Sequence, residues 1–153
     1  MEKEYKELAV AALKNGTVID HIPADSLFQV VKLLGVENLE SSVTIGYNLD
    51  SKKLGKKGII KIADVFYPEE TVNRLAIIAP NANVNEIHNF QVVKKFTVTL
   101  PDEIVGIVKC NNPKCITNNQ PMKTKFHVVD RKNGIICCHY CERTVNKKEV
   151  ELK

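Results

Sequence analysis

CNNPKC, Cys110 to Cys115, is answered twenty-two residues later by CCHYC, Cys137 to Cys141, and together they hold all five cysteines of the chain. The spacing C-x4-C, 22 residues, C-x2-C describes two turns that face each other across a short β-structure, each offering two sulfurs to one ion. A two-residue turn requires C-x2-C, which selects Cys138 and Cys141 and sets Cys137 aside. On a strand Cys137 and Cys138 point to opposite faces, so they do not share an ion, and Cys137 reads as a small buried hydrophobe. Cys110, Cys115, Cys138 and Cys141 are therefore the expected ligands of one structural Zn2+ per chain, with disulfides and iron as alternatives. Four sulfurs close the coordination sphere, so no water is activated there and the metal is architecture.

The region around this motif needs such a staple. Residues 101–153 hold only Phe126 and Tyr140 as aromatics and show no helical pattern, and so short a segment buries too little apolar surface to fold unaided. Zinc–thiolate ligation, at an apparent ~10–16 kcal/mol, replaces the missing core. Residues 101–153 are thus expected to form a small all-β, zinc-ribbon-like domain after a first domain of residues 1–100.

Across residues 1–100, β-strand and helix patterns alternate. GTVIDHI reads as a strand; ADSLFQVVKLLG as a helix capped near Asp25 or Ser26, with Leu27, Val30, Val31 and Leu34 at helical spacing and Gly35 as its stop. SVTIGYNL alternates, with Val43, Ile45, Tyr47 and Leu49 on one face, and GIIKIADVF is a third strand. PEETVNRLAIIA is a helix with Val72, Leu75, Ala76 and Ala79 inward. ANVNEIH and FQVVKKFTVTL form a hairpin around His88 and Asn89. The order β-α-β-β-α-β, with one further strand, is an α+β, ferredoxin-like split βαβ sandwich whose second sheet face stays open for ligands or partners. The stretch before Thr17 suits either a helix or an edge strand.

Charge narrows the partners. The formal net charge is +4, but residues 1–100 are balanced, and the excess lies in residues 101–153. A dication held by four thiolates carries −2, which lowers that segment to about +2, a weak footprint for a nucleic acid. The longest apolar run near the N-terminus, Leu8 to Leu13, is too short for a signal or a membrane span, so a cytoplasmic chain without membrane partners is expected.

Asp20 and His21, in VIDHIP, act together only where the strand twists or ends, and Pro23 suggests an end. Lys61 interrupts an apolar strand and Lys94 and Lys95 another, where a half-buried ammonium calls for an anion such as phosphate. Neither a P-loop nor a dinucleotide fingerprint is present, and Arg74 is the only arginine before residue 101, too few for an acylphosphatase-type site.

Joined in order, GTVIDHIPA, TIGYNL, KGIIKI, APNANVNEIHNFQVV and the four-cysteine spacing resemble the regulatory chain of aspartate carbamoyltransferase over essentially the whole chain. The resemblance implies a non-catalytic allosteric subunit, which binds CTP and UTP as inhibitors and ATP as activator to control pyrimidine biosynthesis. It implies a zinc domain that docks on the catalytic chain, and a homodimer of regulatory chains. By the same resemblance Asp20 and Lys61 contact ribose and base, and His21 and Lys95 meet the phosphates. Asn85, Val92, Val10, Leu13, Val18, Lys57 and Ile59 line the pocket. Ala11 stands where well-known members have glutamate, and Phe90 where they have tyrosine. Asn112 and Glu142 match contacts to the catalytic chain, while Lys114 replaces an asparagine. Rival readings are a nucleic-acid-binding zinc ribbon and a small phosphotransferase using His21 and Asp20.

Overall fold

β1 (Gly16–Pro23) runs through the middle of a five-stranded antiparallel sheet with β2 (Val43–Ser51), β3 (Gly55–Ala63), β4 (Asn83–His88) and β5 (Gln91–Thr97), in the order β2-β3-β1-β4-β5. The computed structural model describes residues 13–152; Val10 and Ala11 lie outside the described residues, as does most of the stretch before Thr17. Helix α1 (Leu27–Leu33) follows β1, and α2 (Glu69–Ile78) follows β3. Residues directly opposite across a sheet share a face, so Ile45, Ile60, Ile19, Val84 and Phe96 form one row. Within that row Ile60, Ile19, Val84 and Phe96 join Leu27 and Val30 of α1 and Leu75 and Ala76 of α2 in one core, while Ile45 at the β2 edge stays exposed. Each fully buried Ile or Leu contributes roughly 1.5–3 kcal/mol there. This is the ferredoxin-like split βαβ arrangement, with β5 as an added edge strand.

Several local expectations shift. A 3₁₀ turn, Ala24–Ser26, precedes α1, and neither Asp25 nor Ser26 caps it through a side chain. Gly35 does end the helical segment, at φ 64°. β2 does not keep one apolar face, because its register slips between Gly46 and Leu49, with Asn48 at φ 61°. The bulge reverses the alternation. Tyr47 meets Phe28 of α1, ring centroids 5.1 Å apart, whereas Leu49 pairs with Lys57 on the opposite face from Val43 and Ile45. β3 stops at Ala63, since Asp64 turns into the left-handed region at φ 59°. His88 belongs to β4, and the hairpin turn is Asn89–Phe90, both at positive φ. Gly58 faces the core, where a Cβ would lie 2.7 Å from Leu27 Cδ1; the close approach of α1 to β3 requires glycine.

The chain divides between Thr99 and Leu100 into two units. The second has a four-stranded antiparallel sheet, β10-β9-β8-β6, built from β6 (Glu103–Val105), β8 (Lys125–Asp130), β9 (Ile135–Cys138) and β10 (Thr144–Asn146). A two-stranded ribbon pairs β7 (Val108–Lys109) with β11 (Glu151–Leu152). Ile104, Val108, Phe126 and Ile136 are its few fully buried large apolar side chains. Against the expectation of no helix, α3 (Ile116–Asn119) makes one turn directly after Cys115. Among the described residues no helix is long and apolar enough to cross a membrane.

Candidate functional site

The four cysteines of the spacing argument converge. The sulfurs of Cys110, Cys115, Cys138 and Cys141 all lie within 4.8 Å of one another, with Cys110 to Cys141 at 3.6 Å and Cys115 to Cys138 at 3.8 Å. Sulfurs ~2.3 Å from a tetrahedral ion are ~3.8 Å apart, so the set fits zinc-type ligation. Local hydrogen bonds hold each turn. Cys115 N–H donates to the Asn112 carbonyl (3.0 Å), and Asn118 Nδ2 donates to the carbonyls of Cys110 (2.9 Å) and Asn112 (2.7 Å). Glu142 N–H donates to the Cys138 carbonyl (2.9 Å), with Glu142 at φ 60°. β8–β9 pairing sets Cys138 opposite Phe126 and Cys137 opposite His127, so the neighbouring cysteines face opposite sides. Cys137 is half-buried and not a core hydrophobe; its thiol donates toward the carbonyls of Cys138 and Glu142 (3.6 and 3.4 Å).

The thiols divide electrostatically. Burial pushes Cys110 up to about 12, with the Cys141 and Cys115 sulfurs adding to the effect, and burial likewise raises Cys138. Burial also opposes ionisation at Cys115 and Cys141. At Cys115 hydrogen bonds from the Thr117 hydroxyl and backbone N–H outweigh it, and at Cys141 the Arg143 backbone N–H and the Asn112 side chain bring the thiol to about 7. Four adjacent thiolates repel one another, and a dication is the group that allows all four to ionise.

On the first unit, Asp20 and His21 sit at a β-bulge, not at a strand end. Ile19 pairs with Ile60 and Ile22 with Gly58, so two residues of β1 oppose Ile59 alone, and His21 adopts φ 59°. The bulge brings both side chains into one network. Lys57 Nζ lies 2.9 Å from Asp20 Oδ1, and His21 N–H donates to the same oxygen at 2.7 Å. Thr97 Oγ1 donates to Asn83 Oδ1 (2.8 Å), which leaves the Asn83 amide to donate to His21 Nδ1 (2.9 Å) and puts the neutral ring's proton on Nε2. Asp20 and Lys57 are only 15% and 12% exposed.

The remaining candidates share the sheet face opposite the helices. Lys61, Val18, Asn85 and Lys95 stand in one row across β3, β1, β4 and β5. Val18 and Asn85 are buried, Lys61 is half-buried and Lys95 is exposed. Lys94 and Lys95 escape the expected burial because β5 is an edge strand; Lys94 turns to the other face, 5.2 Å from the Phe96 ring centroid. Leu13 packs beside Gly16, and Val92 pairs with Ile87, on the side of Val18. Ile59 lies between Lys57 and Lys61 on β3. Asn83 and Thr97 were not among the sequence candidates. The polar Asn83 and Asn85 at alternate positions of β4 were the available signal.

A groove of about 380 Å³ opens on the helix side of the sheet instead, lined by Thr17, Glu69, Val72, Glu86, Lys94 and Phe96 among others. Of the lysines singled out for an anion only Lys94 lines it, and Asp20, His21, Lys61, Asn85, Val92 and Lys95 do not. With two carboxylates against one ammonium it suits a polyphosphate poorly, whereas the opposite face gathers Lys57, Lys61 and Lys95 against Asp20.

Comparison with known proteins covers both units. Residues 8–99 match the family model described as aspartate carbamoyltransferase regulatory chain, allosteric domain, and residues 102–151 match the model described as its metal binding domain. The aspartate carbamoyltransferase regulatory chain of Parabacteroides distasonis is 59% identical over 151 residues, covering 99% of this chain and 98% of its own. That of Bacteroides thetaiotaomicron is 58% identical over 152 residues, with 99% of each covered. The protein of the same name from Pyrococcus horikoshii is 49% identical over 146 residues, covering 94% of this chain and 96% of its own.

Proposed function

The chain belongs to the aspartate carbamoyltransferase regulatory chain family, and from that membership we propose that it is a non-catalytic subunit that binds CTP, UTP and ATP on the open sheet face and controls a catalytic partner chain. The observation that carries this reading is the convergence of Asp20, His21, Lys57, Lys61 and Lys95 on the face opposite the helices, from three different strands. In this reading Lys61 and Asp20 contact base and ribose, and His21 and Lys95 meet the phosphates. His21, with its proton on Nε2, donates to a phosphate oxygen without first gaining a charge. Asn85, Val18, Leu13 and Val92 supply the walls. Pyrimidine and purine triphosphates compete for this site, and their different contacts in two quaternary states shift the partner's activity by a coupling of ~1–3 kcal/mol.

The four-cysteine site holds Zn2+ with a purely structural role. It fixes the loop carrying Asn112 and Lys114 and the turn carrying Glu142, which form the docking surface for the catalytic chain. Two regulatory chains associate through the β2 edge, which exposes Ile45, Leu49 and Tyr47, the last of these against Phe28. Pairing two such edges buries both the apolar side chains and the unpaired backbone groups.

Titration of CTP and ATP into the full-length chain, repeated with Lys61→Ala and Lys95→Ala, tests the site. Affinity should fall in both variants. Unchanged affinity in both means that the nucleotide binds elsewhere.

A further inference from the structure

The second unit carries a pair of histidines that neither the four-cysteine site nor the nucleotide face uses. His127, on β8, points Nε2 at Nδ1 of His139 across 3.0 Å. His139 lies inside the C-x2-C turn, where its backbone N–H donates to the Lys125 carbonyl at 2.8 Å and Tyr140 packs edge-on to its ring at 5.1 Å. On the other side of His127, Glu103 of β6 stands directly opposite, its carboxylate oxygen 3.7 Å from Nδ1. His139 is exposed and His127 partly so.

We infer that His127 and His139 form a second, surface metal site, a two-imidazole chelate for a late first-row divalent cation such as Ni2+ or Cu2+. The separation is the argument. Two nitrogens each ~2.1 Å from one ion lie ~3.0 Å apart when they meet it at a right angle, and a tetrahedral ion needs a wider bite of ~3.4 Å. The observed 3.0 Å therefore suits a cis pair in an octahedral or square-planar sphere, with water in the remaining positions.

Proton balance is also favourable. In the neutral pair one proton lies between the two facing nitrogens. When the ion replaces it, that proton moves to the outer nitrogen of the same ring. For His127 the outer nitrogen is Nδ1, which faces Glu103, so a carboxylate stands ready to hold the ring in its ligating tautomer. No proton is lost overall. Lys125 also lies 3.7 Å from Glu103, so the carboxylate is shared between an ammonium and the imidazole. Cys137 stands across from His127, but its thiol is turned to backbone carbonyls and takes no part. The inference is independent of the nucleotide reading.

The test is calorimetric titration of Ni2+ into untagged full-length chain whose four-cysteine site has first been saturated with zinc. The expected result is uptake of one Ni2+ per chain without zinc release and without sulfur-to-nickel absorption bands. His127→Gln and His139→Gln should each abolish saturable uptake, Glu103→Gln should weaken it about ten-fold, and Cys137→Ser should leave it unchanged. His127→Gln is decisive because it lies outside the cysteine turn, and its zinc content and circular dichroism verify folding. Selective broadening of both imidazole C–H resonances by Ni2+ gives a second readout in the unaltered chain. Absence of stoichiometric uptake, uptake that survives both glutamine variants, or uptake abolished by Cys137→Ser overturns the inference.

Discussion

Removing both partners of the Asp20–Lys57 pair should damage the first unit no more than removing the Asp20 charge alone. The two charges are 2.9 Å apart and at most 15% exposed. At an effective dielectric constant of ~20, their attraction is about 6 kcal/mol, and desolvation offsets much of it. Asp20→Asn strands the Lys57 ammonium in a site with little access to water, and it weakens the acceptor for His21 N–H. A loss of ~3 kcal/mol is expected, in the range for breaking a buried pair. Lys57→Met leaves the Asp20 carboxylate with the His21 N–H and should cost ~2 kcal/mol. The double variant Asp20→Asn/Lys57→Met has no stranded charge, so the coupling energy should be ~2 kcal/mol. Urea unfolding of the full-length chain, followed by a probe of the first unit, measures the cycle. Additive losses, within ~0.5 kcal/mol, would show that the two groups do not act as a pair and that the bulge is held by backbone alone.

Gly58→Ala should lower stability by ~1–3 kcal/mol, because the added methyl meets the buried Leu27 side chain at 2.7 Å and α1 must lift away from β3; thermal melting reads the shift. Metal removal by a strong chelator should unfold residues 100–153 while the first unit keeps its circular dichroism, and the stripped chain should no longer co-elute with catalytic subunits. Cys110, raised to about 12, and Cys138 remain protonated at neutral pH without metal. Metal uptake therefore releases protons, and its affinity rises with pH and falls as pH drops; calorimetry in two buffers of different ionisation enthalpy reads the protons, and zero release at pH 7 contradicts the thiol assignment. Tyr47→Lys, on the exposed β2 edge, should convert dimer to monomer in sedimentation, and an unchanged mass would move the dimer contact elsewhere.

The metal set was legible because its chemistry dictates spacing: two short turns deliver four sulfurs, and the period of a strand excludes Cys137. Strand and helix order was legible for a similar reason, since rows such as Ile19 and Ile60 repeat with the period of a buried sheet face. The bulges were not. Asn48 is a residue that tolerates φ > 0, yet nothing local tells a turn asparagine from one inside a strand. His21 is of a type that also adopts φ > 0 more often than most, but its conformation here is imposed by the Asp20 carboxylate and the register with β3. Asn83 and Thr97 join the site only through pairing across three strands, information that no single segment contains. The one-turn helix after Cys115 is too short for periodicity to reveal.

The row from Lys61 to Lys95 crosses three gaps between neighbouring strands, each ~4.8 Å wide, for a total of ~14 Å. A molecule touching both ammonium groups is thus measured against a ruler whose marks are strand spacings. The flexible lysine stems absorb small differences in the length of the guest, and a larger difference is met by coiling the sheet more tightly or letting it flatten. Thr44, at the far end of the same row, lies on β2, so any such change of coil tilts that outer strand as well.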